Sequence, residues 1–173
     1  MKKLVALVGA GLLMAACSTD PSVAATVNGE EITIDDLAQV QSDFRENGVN
    51  TLAEGVLNMM INAEVANDII EAEGLEMPPE IREAVYGQLG LYPAFDYSEQ
   101  TDEMIDFLSF TLVTQQGFYG PDDIRPVLEA LGEADIDVNP RFGEWDADNF
   151  ALVPTSRDYL TSEIVETESP LGF

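Results

Sequence analysis

β-compatible residues flank Asn28-Gly29 between Ala24 and Ile32, and that pair favours a tight turn because both residues enter left-handed backbone readily. The segment predicts a small strand, a turn and a short second strand. Thr33 then precedes Ile34-Asp35-Asp36, a side-chain cap with acidic residues in the first turn, which predicts a helix to about Glu46 ended by Gly48. Thr51 and Glu54 have capping-box spacing, and Leu52 to Glu73 is the longest helical pattern in the chain, stopped by Gly74. Its apolar residues are spread widely. Leu52, Val56, Met59, Ala63 and Ile70 share one face, while Leu57, Ile61, Val65 and Ile69 widen it, as expected of a central helix.

Met77-Pro78-Pro79-Glu80 opens a third helix with Tyr86, Leu89 and Leu91 on its later part, closed by Gly90 and Pro93. From Glu99 to Gln116, Met104, Leu108 and Leu112 line one side, which Ile105 and Phe107 broaden; Phe110 falls off it and is expected to be exposed. A fifth helix is predicted from Pro121 to Leu131, ended by Gly132, with Pro126 tolerated near the first turn. Ile136-Asp137-Val138 alternates like a strand. Asn139-Pro140-Arg141-Phe142-Gly143-Glu144-Trp145-Asp146 follows as an ordered aromatic loop containing the sole tryptophan. The expected class is mainly α: about five helices and a small β-element.

Lys2 and Lys3 precede an apolar run from Leu4 to Met14 that ends in Ala15-Ala16 before Cys17. A run of about 11 residues is too short to span a membrane, so residues 1–16 read as a signal peptide. Leu13-Met14-Ala15-Ala16-Cys17 resembles the bacterial lipobox, with Met14 where leucine is usual. The resemblance implies lipidation of Cys17, the only cysteine, and a place on the extracytoplasmic face of the bacterial cell membrane. Residues 17–23 would then be a lipid-anchored tether, residues 24–160 one domain and residues 161–173 an acidic tail. The plainer alternative is an ordinary secretory signal cleaved after Ala16 or near Ala25.

Charge narrows the partners. With Lys2 and Lys3 removed, only Arg45, Arg82, Arg125, Arg141 and Arg157 stand against 33 acidic residues. Such a surface repels nucleic acid and anionic headgroups, so no nucleic acid is expected and the lipid, not charge, holds the membrane. A salty habitat is one reading of the acidity; solubility is the plainer one. Histidine is absent, which excludes Ser-His-Asp and Cys-His sites and the usual zinc sites. Asp35-Asp36 and Asp122-Asp123 read as helix-start charges, and no metal or other cofactor is expected.

Two separated segments, Val27-Asn28-Gly29-Glu30-Glu31-Ile32-Thr33 and Val138-Asn139-Pro140-Arg141-Phe142-Gly143-Glu144-Trp145-Asp146, carry a resemblance to the SurA-like N-terminal domain of exported chaperones and foldases, in its actinobacterial lipoprotein form. The resemblance covers residues 24 to about 150. It implies a mostly helical domain that cradles unfolded or extended exported polypeptides, with Val27 and Val138 as neighbours on paired strands. Relatives often carry a parvulin-type prolyl isomerase built around histidines; without histidine, and without room for that module, this chain is expected to be no enzyme.

The leading expectation is therefore a non-catalytic chaperone or holdase; the alternative is a scaffold lipoprotein with one specific partner. Oligomeric state is left open. Phe44, Met59, Met60, Phe107 and Phe110 are the residues chosen for a peptide-binding groove, although Met59 and Met60 also suit core packing. Asn139, Pro140, Arg141, Phe142, Gly143 and Trp145 form the structural motif. For Arg141 the favoured role is a bidentate pair with an acidic residue and stacking on Trp145, ahead of contact with a substrate.

Overall fold

The structure, a computed structural model, describes residues 20–154. The signal peptide, Cys17 and the acidic tail lie outside them. Strand β1 (Val23–Val27) is the middle of a three-stranded sheet, antiparallel to β2 (Glu30–Thr33) on one side and to β3 (Ile136–Val138) on the other. Asn28 and Gly29 join β1 to β2 with φ of 51° and 96°, the double left-handed turn their side chains permit. Asn28 also ties this turn to the end of the fold, its amide donating to the Asp135 carbonyl and its Oδ1 accepting from the Asp135 amide at 2.9 Å.

Val23 already belongs to this sheet and is buried, so the ordered fold begins within the stretch expected to be tether. The pairing of the first strand with that near residue 138 is present, but its register differs from the expected one. Val138 faces Ala25, and Val27 faces Ile136. The Asn28–Asp135 clamp fixes this register, two residues away from a Val27–Val138 pair.

Helix α1 (Ile34–Glu46) starts at Thr33, which accepts from the Asp36 amide while the Asp36 carboxylate accepts from the Thr33 amide at 2.9 Å. Helix α2 (Ala53–Ala72) runs through the core and buries Val56, Leu57, Met60, Ile61, Val65, Ala66 and Ile70. Its expected Thr51–Glu54 capping box does not form. Leu52, not Thr51, is the N-cap, and the Thr51 carbonyl accepts instead from Gln41 Nε2. Leu52, expected on the apolar face, is consequently outside the helical turn and 78% exposed.

Helices α3 (Pro79–Leu89), α4 (Glu99–Gln115) and α5 (Pro121–Glu133) complete the bundle. Gly90 closes α3 in the left-handed conformation. Phe110 of α4 is buried, contrary to expectation, because Tyr119 returns across α4 and stacks on it at 6.2 Å. α5 continues through both Pro126 and Gly132, with Val127 and Leu131 buried against the core.

Residues 139–146 are not a loop throughout. Strands β4 (Glu144–Asp146) and β5 (Ala151–Val153) form an antiparallel ribbon with Trp145 opposite Leu152. α2 holds this ribbon by two side chains: Asn58 Oδ1 accepts from the Leu152 amide at 2.7 Å, and Asn62 Nδ2 donates to the Phe150 carbonyl at 3.2 Å.

Candidate functional site

Asn139 anchors the loop between β3 and β4. Its amide donates to the Ala24 carbonyl and its side chain to the Val23 carbonyl, each at 3.0 Å, so the loop is fixed beside the point where the chain enters the fold. The same side chain accepts from the Arg141 amide, and its carbonyl accepts from the Phe142 amide, which folds Pro140 and Arg141 into a tight turn. Gly143 then passes so close to β5 that a Cβ would sit 2.5 Å from the Val153 carbonyl oxygen, and its φ of 129° also favours glycine.

This close approach creates a groove of about 560 Å³ between the loop, β5 and the start of α2. Leu52, Phe142, Leu152 and Val153 supply its apolar lining; Glu54 and Arg141 are its charged members. Arg141 is exposed, with its guanidinium carbon 4.5 Å from the centre of the Phe142 ring. It makes no ion pair among the described residues. Both parts of its expected structural role are thus replaced by a cation–π contact with its own neighbour. Trp145 belongs to β4, and its buried Nε1 has no hydrogen-bond partner among the described residues.

None of the five residues chosen from sequence for peptide binding lines this groove. Phe44 and Phe110 are core residues, 2% and 6% exposed, and offer no surface to a ligand. Met60 is buried in α2, and Met59 and Phe107 are half-buried against the core. The lining residues missed from the sequence are Leu52, Glu54, Leu152, Val153 and Pro154.

A second concavity, of about 270 Å³, is acidic. β2, α1, α2 and α4 bring Glu31, Asp36, Glu64, Glu99 and Glu103 around it over a floor that includes Met60 and Ala63. Burial, with the charges of Asp68 and Glu30, raises the Glu64 carboxyl above its ordinary value. Burial likewise raises Glu103, with Glu64, Glu99, Asp68 and Asp36 adding to it. Among the described residues no acidic group has the arrangement of a metal site. Asp36 and Asp123 act as expected at helix starts, and Asp122 pairs with Arg125.

Asp43 stands apart from these surface carboxylates. It is 6% exposed and accepts from the Ser98 amide, Ser98 Oγ, Thr101 Oγ1 and Gln39 Nε2 at 3.0, 2.6, 2.7 and 3.1 Å. Burial pushes its carboxyl up, but the bonds from Ser98, Thr101 and Gln39 outweigh burial and hold it below the ordinary aspartate value. It joins α1 to the start of α4 and is structural, since all its neighbours are satisfied by it.

No helix among the described residues is long and apolar enough to cross a membrane. Compared with known protein families, with curated proteins and with solved structures, the chain matches none.

Proposed function

We propose that this chain is a lipoprotein of the extracytoplasmic membrane face that acts as a non-catalytic holdase for exported polypeptides. The observation that carries the reading is the apolar groove at the Asn139–Gly143 loop, with Leu52 78% exposed at its edge. Isolated exposed leucines are ordinary, but one that borders an apolar concavity offers area to an extended segment. The pairing of β1 with β3 ahead of that loop is what the SurA-like resemblance implies, and it supports the same reading.

The anchor also fits the location of the groove. The stretch from Cys17 to Val23 reaches at most about 20 Å when extended. Asn139 is bonded to Val23 itself, so a client held in the groove would stay close to the membrane surface.

The reading is tested by suppression of aggregation of a denatured model protein by residues 18–173 at low and high salt. Suppression at equal or lower molar ratio is expected, and Leu52→Asp is expected to reduce it without unfolding the chain, because substitutions at so exposed a site change stability by only about 0.5 kcal/mol. No suppression in either salt would sink the holdase reading and favour the scaffold with one specific folded partner.

A further inference from the structure

We infer that the groove selects extended apolar segments that carry a carboxylate, which Arg141 receives. The inference rests on the holdase reading and adds the chemical class of the bound segment. Acidic residues outnumber basic ones 33 to 7 in this chain, yet among the described arginines Arg45 and Arg141 are in no ion pair, and Arg141 is the one that lines the groove. Arg82 is paired with Asp102 and Asp106, and Arg125 with Asp122. Arg141 is in none of these pairs, although Glu54 lines the same groove. Its guanidinium rests on the face of Phe142, a contact that positions the planar group and leaves its N–H fork to a ligand.

The surroundings of Arg141 define the rest of the ligand. Leu52, Leu152 and Val153 offer apolar contact, and the turn that presents Arg141 is fixed by Asn139 and by the close approach of Gly143 to β5. A segment with one aspartate or glutamate among apolar residues therefore finds both kinds of partner. A polyacidic segment does not, because the net charge of −26 repels it before it reaches the groove.

The test uses the exported chain carrying Cys17→Ser and three labelled apolar nonapeptides that differ only at the central position, which is glutamate, glutamine or lysine. At 0.15 M salt the glutamate peptide is expected to bind about three- to fivefold tighter than the glutamine peptide, the range of an exposed ion pair, and the lysine peptide weakest. Arg141→Gln should bring the glutamate peptide level with the glutamine peptide; Arg141→Lys should keep part of the difference. In 1 M salt the difference should vanish, since screening then acts over about 3 Å.

Equal binding of the three peptides would overturn the inference and leave the holdase groove standing. So would a glutamate preference that survives Arg141→Gln in a chain with unchanged circular dichroism. Displacement of the glutamate peptide by palmitate at similar concentration would overturn it in favour of a lipid carboxylate. Failure of all three peptides to bind would overturn the groove itself.

Discussion

The acidic cleft and the groove at the Asn139–Gly143 loop are built in opposite ways. Five carboxylates converge on the cleft from four elements without a cation among its lining residues. Apolar side chains make the groove, and one arginine stands at it. In a chain this acidic, convergence of carboxylates is what any concave surface tends to show, and burial, with neighbouring negative charges adding to it, raises Glu64 and Glu103. An apolar lining with an exposed leucine beside an arginine that has no ion pair among the described residues departs from the prevailing composition. Function is better sought in departures of that kind than in the abundance of one residue type.

The largest expected effect bears on α4 beside the cleft, where Asp43 holds Ser98 and Thr101 on either side of the lining residues Glu99 and Gln100. Asp43→Ala leaves Thr101, which is 0% exposed, and Ser98 without their acceptor, and should lower unfolding free energy by about 3 kcal/mol in urea titration. Peptide binding in the groove should survive at temperatures where the variant is folded, because Asp43, Ser98 and Thr101 are not among the residues that line the groove. If binding were lost together with stability, the cleft and the groove would have to be treated as one coupled unit.

Gly143→Ala acts on the other side of the comparison. The new Cβ collides with the Val153 carbonyl and occupies strained backbone, which should cost about 2 kcal/mol and displace β5. Peptide affinity should fall while the acidic cleft keeps its titration behaviour by NMR. Unchanged affinity would mean that β5 does not shape the groove.

Titration gives the smallest effects, and their signs separate the buried aspartate from the cleft. The Glu64 and Glu103 carboxyls are raised in the folded chain, so their ionisation destabilises it: stability should rise slightly as pH falls from 7 toward the usual glutamate range. Glu103→Gln should remove part of that slope and stabilise at pH 7 by no more than about 0.5 kcal/mol, because both groups are screened by solvent. Asp43 is lowered, so its contribution is present above the ordinary aspartate value and is lost as pH falls through its lower folded value. A stability curve that only falls on acidification from pH 7 would contradict the reading of the cleft.

Much of the helical frame was legible because its ends carry local signals. The Thr33–Asp36 box, the prolines before α3 and the glycines after α2 and α3 act within a few residues, so their chemistry is visible in sequence. The β1–β2 turn was legible for the same reason. Asp43 was not, since Ser98 and Thr101, which bury it, lie 55 and 58 residues away, and an aspartate four residues after a glutamine is not thereby distinguished from the other carboxylates. Phe110 was misplaced because helical periodicity registers only one buried side, whereas Tyr119 covers another. β4 was read as loop because Asn139-Pro140 and Gly143 precede it, and the Ala-Leu-Val of β5 shows no alternation. For the groove, the sequence singled out the Asn139–Gly143 motif but favoured a structural task for Arg141 and placed the peptide-binding residues in the core.

The position of β1 in the middle of its sheet has a consequence for how the chain acquires its structure. Bonds from Asp135 to Asn28 and from Asn139 to Val23 span 107 and 116 residues, so the sheet is closed only across almost the whole domain. Bringing such distant partners together costs on the order of 4 kcal/mol in chain entropy, which the intervening helices must reduce by packing first. During synthesis from the N-terminus, β1 is therefore expected to keep one edge unpaired until residue 138 has emerged, with helical collapse preceding its completion.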